Sequence, residues 1–202
     1  MIRNVRRMAA LFVLIMSMTG LYALVTPNAF ATSGGTAHIS GGYGSTNSRQ
    51  AALVAAVRRE AVLHPNASDR HICYAAHVEN IGWQQPVCDG VTTGTTGQGL
   101  RMEALDIVVS GVGGVCAAAH VENIGWQPVT CAGDNINVMV GTTGRGLRME
   151  ALDISVSSGT VCANAHVENI GWQGSRCAST PSFALAGTTG QGLGMEAVQL
   201  TV

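Results

Sequence analysis

The chain says one thing three times, and that constrains its fold more than any other feature. The string A-H-V-E-N-I-G-W-Q runs from Ala76 to Gln84, from Ala119 to Gln127 and from Ala165 to Gln173. A second string, G-T-T-G-x-G-L-x-M-E-A, follows each copy and starts at Gly94, Gly141 and Gly187. Successive tryptophans stand 43 and 46 residues apart. A chain built this way makes one supersecondary unit and must then pack three of them together. The extra residues of the second and third copies, 134–140 and 179–186, fall at one place in the repeat, which marks a surface loop.

The cysteines follow the repeat. Cys73 and Cys88, Cys116 and Cys131, and Cys162 and Cys177 are each 15 residues apart. Six cysteines allow fifteen connectivities, but only pairing inside each copy treats the copies alike. Each such bridge closes a loop worth roughly 3 kcal/mol in the chain-entropy model. Zinc is the competing reading, because each copy also has Cys-x-x-x-His: Cys73/His77, Cys116/His120 and Cys162/His166. On an extended chain, residues four apart lie about 13 Å from one another, too far for one ion. No metal and no cofactor is therefore expected.

The pattern inside a copy is that of strands. His77, Glu79, Ile81 and Trp83 alternate with Val78, Asn80 and Gly82 along an extended segment. Leu100 and Met102 alternate with Arg101 and Glu103, and then the apolar phase moves to Leu105 and Ile107. A slip of one residue inside a strand predicts a β-bulge near Glu103–Leu105, with the same slip at Glu150–Leu152 and in the third copy. The glycines of G-T-T-G-x-G lead into a strand rather than a helix. They are therefore turn glycines, not a phosphate cradle. The expected fold is all-β, a three-fold pseudosymmetric repeat domain over 71–202 (copies 71–110, 114–157 and 160–202). It is read as β-prism-like with a β-trefoil as the alternative, and each copy as its own small sheet closed by its own disulfide.

The ends of the chain read differently. Arg3, Arg6 and Arg7, the apolar run that follows and Ala29-Phe30-Ala31 make a secretory signal peptide over 1–31, cut after Ala31. A flexible Gly/Ser/Thr-rich tail follows within 32–70, with a helix near 49–63 capped by Asn47 and packed on the repeats by Leu53, Val54, Val57 and Ala61. A docking helix for a partner is the other reading of that segment. Beyond the leader there are eight arginines, no lysine and twelve acids, a net charge of about −4. That charge argues against nucleic acid, whose binding rests on phosphate neutralisation, and against attraction to anionic lipid. A secreted, extracellular protein with no stable membrane insertion after cleavage is expected.

These motifs resemble the clostridial hydrophobic repeat with its signature tryptophan, the ChW repeat, across all three copies. The family pattern falls on His77, Asn80, Gly82, Trp83, Gly94, Gly97, Gly99, Leu100, Arg101 and Glu103, and on the matching positions of the later copies. In the third copy, Gly194 stands where the pattern has arginine. The resemblance implies attachment to a polysaccharide, a cell surface or another protein, and no established catalysis.

The candidate ligand-binding residues are Trp83, Trp126 and Trp172 for stacking on sugar rings, with His77, His120, His166, Asn80, Asn123, Asn169, Arg101, Arg148, Glu103, Glu150 and Glu196 for directional hydrogen bonds. Two questions stay open in the sequence. The tryptophans serve either as core or as platforms, and Arg101 with Glu103 forms either a structural pair or a ligand clamp. The partner expected is a polysaccharide or cell-surface component, or else an extracellular protein met through an exposed sheet or the helix. A catalytic reading from His77 and Glu79 fits poorly, since active sites are seldom triplicated.

Overall fold

A computed structural model describes residues 46–64 and 69–202. The signal peptide and the Gly/Ser/Thr-rich tail lie outside the described residues. Helix α1 (Thr46–Leu63) opens the described chain. It begins earlier than the sequence suggests, so Asn47 lies in its first turn rather than at its cap.

Each copy supplies five strands. The first contributes β1 (His71–Val78), β2 (Gly82–Trp83), β3 (Val87–Cys88), β4 (Thr93–Gly94) and β5 (Met102–Ser110). The second contributes β6 (Val115–Val121), β7 (Gly125–Trp126), β8 (Thr130–Ala132), β9 (Val138–Gly141) and β10 (Met149–Val156). The third contributes β11 (Thr160–Val167), β12 (Gly171–Trp172), β13 (Arg176–Ser179), β14 (Ala184–Gly187) and β15 (Met195–Thr201). The fold is mostly β with one helix, in three similar antiparallel sheets.

The sheets are not built from one copy each, which corrects the expectation of self-contained units. The long pairs β1·β5, β6·β10 and β11·β15 stay within a copy. The fourth strand crosses over: β9 of the second copy joins β5 of the first, and β14 of the third joins β10 of the second. β4 of the first copy joins β15 of the third, so the exchange closes on itself. The first glycine of G-T-T-G makes the crossing possible. A Cβ on Gly94 would stand 2.2 Å from the Glu196 carbonyl oxygen, and Gly141 and Gly187 are equally close to Glu103 and Glu150. All three have φ near +90°, a region that favours glycine.

Alternating residues of the long strands face one shared core. Ile72, Tyr74, Ala76 and Val78 meet Val115, Ala117, Ala119 and Val121, and Val161, Ala163, Ala165 and Val167. Leu105, Ile107, Leu152, Ile154, Val198 and Leu200 fill it from the partner strands. Small side chains dominate where the β1, β6 and β11 faces meet, and Tyr74 is the one large ring among them. Its hydroxyl donates to the Val91 carbonyl at 2.6 Å and accepts from the Leu200 amide at 2.9 Å.

Disulfides join Cys73 to Cys88, Cys116 to Cys131 and Cys162 to Cys177, each pair directly opposite across two strands. The cysteines considered for zinc are thus held as disulfides.

Candidate functional site

The A-H-V-E-N-I-G-W segment is not one extended strand, as its alternation suggests. β1 ends at Val78, and Glu79-Asn80-Ile81 make a tight turn into β2. Asn80 has φ of 61°, and Asn123 and Asn169 have 60°. Asparagine tolerates this left-handed conformation better than most residues, which accounts for its place in the motif. The turn sets His77 opposite Trp83, with the rings edge-to-face at 5.3 Å. The same contact recurs at 5.4 Å for His120–Trp126 and His166–Trp172.

The bulge foreseen near Glu103–Leu105 is present, and Glu103 is the extra residue. His77 pairs with Ala104 and Val78 with Met102, so Glu103 is skipped. Glu150 and Glu196 are skipped in the same way. A bulge re-aims a side chain, and here it turns a buried carboxylate towards the histidine. Glu103 Oε2 lies 3.1 Å from His77 Nδ1, and the matching contacts of Glu150 with His120 and Glu196 with His166 are 3.0 Å. Each is a close approach rather than an aligned hydrogen bond, since Nδ1 of all three histidines lacks a hydrogen-bonding partner.

Arginine closes the network in two copies. Arg101 donates to Glu103 at 2.9 Å and also to Glu79. Arg148 donates to Glu150 at 3.0 Å and also to Glu122. The pair left open by the sequence is therefore an intramolecular clamp on two carboxylates. The third copy has Gly194 here, and Glu168 instead accepts the Gly194 amide at 3.3 Å.

With histidine, glutamate and arginine engaged among themselves, the tryptophans differ most between copies. Trp83 is half-buried, and the guanidinium of Arg49 from α1 sits 4.0 Å above its ring. Trp126 is 44% exposed and Trp172 is 40% exposed. Ile124 and Ile170, two residues before each, are exposed as well.

Several residues that hold the site stand outside the candidate ligand-binding set. Gln84, Gln127 and Gln173 each accept the backbone N–H of the first G-T-T-G glycine of their own copy, fixing the strand that crosses to the next sheet. Their recurrence one residue after each tryptophan was the available signal. Glu79 and Glu122 were legible in the same string. Arg49 had no such signal, because it belongs to no repeat.

The arrangement defines a class: a disulfide-braced β domain of three strand-exchanging copies, each carrying one His–Glu–Trp constellation. The family model for Clostridial hydrophobic W (ChW) matches residues 77–111, 120–158 and 166–202, more than half of the chain, and the chain belongs to that family. No curated protein and no solved structure matches it.

Proposed function

We propose that this is a secreted, non-catalytic binding module that attaches to carbohydrate or cell-wall polysaccharide through Trp126 and Trp172. The observation that carries the reading is the exposure of these two indoles. Each stands edge-to-face with a histidine whose Nδ1 lies 3.0 Å from a buried glutamate. A rigid, half-exposed indole offers an apolar face for a sugar ring at little entropic cost. Two weak platforms on one body gain from avidity on a polymer. Export is supported by the three disulfides, which persist in oxidising compartments. Among the described residues, no helix is long and apolar enough to cross a membrane. The non-catalytic part of the reading rests on the histidine–glutamate pairs recurring alike in three copies. Turnover of a labelled glycan that disappears in His77→Ala would contradict it.

The test is co-sedimentation of the oxidised protein with insoluble polysaccharides and with cell walls. Trp126→Ala/Trp172→Ala should lose binding while staying folded, and Trp83→Ala should retain it in the folded fraction. Binding undiminished in the double variant would rule out the indole platforms. A second reading, an extracellular protein-interaction module, draws on Met139 and Leu185, exposed at matching positions of the crossing strands. Saturable binding to a purified protein, with none to polysaccharide, would favour it.

A further inference from the structure

Arg101, Arg148 and Gly194 occupy equivalent positions, and the structure brings them together. A Cβ built on Gly194 would lie 3.1 Å from Arg148 Cδ and 3.7 Å from Arg101 Cβ. Each arginine reaches over the third glycine of the next copy's G-T-T-G-x-G. Arg101 Nη2 lies 3.6 Å from the Cβ position of Gly146, and Arg148 Nη2 lies 3.7 Å from that of Gly192. The glycine that a third arginine would reach is Gly99.

A cavity of about 190 Å³ lies at that place, lined by Gly99, Glu168, Glu196, Gly194, Glu79 and the two arginines. Glu168 corresponds to Glu79 and Glu122, and Glu196 to Glu103 and Glu150. The cavity is therefore bordered by the same carboxylates and glycine that surround a guanidinium in the other two copies. Glu196 is only 7% exposed. Its Oε2 faces His166, while its Oε1 has no partner among the described residues. Oε1 is the atom that accepts arginine in both Glu103 and Glu150. Across the three copies, six carboxylates face two guanidiniums, each already shared between two acids. The Glu196 carboxylate is otherwise buried and opens only onto this cavity, so a cationic donor placed there would meet a free acceptor.

We infer that this cavity is a receptor for a guanidinium group on a slim stem, bound by Glu168 and Glu196 in the place of the missing third arginine. The planar fork suits two carboxylates better than a compact ammonium does. The volume, below the roughly 300–1,000 Å³ of drug-sized pockets, suits a group of this size. The site does not depend on the tryptophan platforms.

The test is titration of the oxidised protein with ethylguanidine, ethylamine and N-acetyl-arginine N-methylamide, followed by the amide resonances of Gly99 and Gly194. Ethylguanidine should give saturable shifts at these glycines, at least about tenfold tighter than ethylamine. Saturation by the arginine amide as well would identify an arginine side chain of a partner as the source. Saturation by ethylguanidine alone would identify a free small guanidine. Glu168→Gln should weaken binding at least about tenfold. Gly194→Arg should abolish it by filling the cavity, with the flexible Arg148 side chain giving way. The inference fails if no saturation is seen to tens of millimolar, if ethylamine binds equally well, or if Glu168→Gln leaves the affinity unchanged.

Discussion

The first sheet and the other two share one repeat and one inner face, yet their outer faces have parted. On the first, Cys73, Ala75 and Val108 are buried beneath Leu53 and Val57 of α1. The matching positions read Cys116, Ala118 and Ser155 in the second copy, and Cys162, Asn164 and Thr201 in the third. Asp106 pairs with Arg49 at 2.7 Å and also accepts from Asn137. Its counterpart Asp153 has no such arginine among the described residues, and partial burial raises its pKa above the usual carboxylate value. In the third copy the position is Gln199, which accepts a hydrogen bond from Asn164. The inner faces must interlock three ways and so stay alike. An outer face answers only to what covers it, so one helix has made the first apolar and left the others polar, with their tryptophans open.

The sharpest way to break this comparison is to remove the helix's charge. Arg49→Met leaves Asp106 buried without its cation and should cost about 3–5 kcal/mol in urea unfolding. Adding Asp106→Asn should recover most of that loss. Among the described residues, no matching arginine–aspartate pair exists on the other sheets. If Arg49→Met is neutral, the helix does not hold the first sheet as described.

The disulfides offer a second contrast. Replacing Cys73 and Cys88 by alanine should cost about 3 kcal/mol. Replacing Cys162 and Cys177 should cost less, because Cys73 is fully buried under α1 whereas Cys177 is exposed. Equal midpoint shifts would show that loop closure alone sets the effect.

Tryptophan truncation should separate the copies again. Trp83→Ala removes a ring packed on the cluster of Leu53, Val57, Cys73, Ala75 and Val108 and under a guanidinium, and should cost about 2 kcal/mol. Trp126→Ala and Trp172→Ala should each stay within about 0.5 kcal/mol. A large loss at Trp126 would make the exposed rings structural.

An effect smaller than the loss of Trp83 is expected on the inner face, where Tyr74 replaces the alanines of the later copies. Tyr74→Phe leaves the Leu200 amide and the Val91 carbonyl without their partner and should cost about 1–2 kcal/mol. Burial, the largest cause, pushes the Tyr74 pKa up from 10.0 to about 12. The unfolded chain therefore releases this proton first as pH rises. The contribution is complete below about pH 10 and is lost as pH climbs towards 12. Urea midpoints at pH 8, 10 and 11 should fall less steeply in Tyr74→Phe than in the parent.

The bulge was legible because a carboxylate falls where the apolar phase slips, and a slip of one residue inverts every later side chain. The disulfides were legible because only one pairing respects the repeat. The turn at Asn80 was hidden by an apparent alternation that ran straight through it. The strand exchange was hidden because any copy's G-T-T-G strand has the same sequence reason to pair with its own sheet as with its neighbour's.

By itself, the sequence determined that the chain is a three-copy, disulfide-braced β domain of the ChW family, since periodicity and spacing are properties of the chain alone. Which tryptophan is covered, and where the absent arginine leaves a cavity, were decided only in the tertiary structure. Both depend on what residues far apart in sequence, such as Arg49 and Asp106 or Gly99 and Gly194, do when packing brings them together.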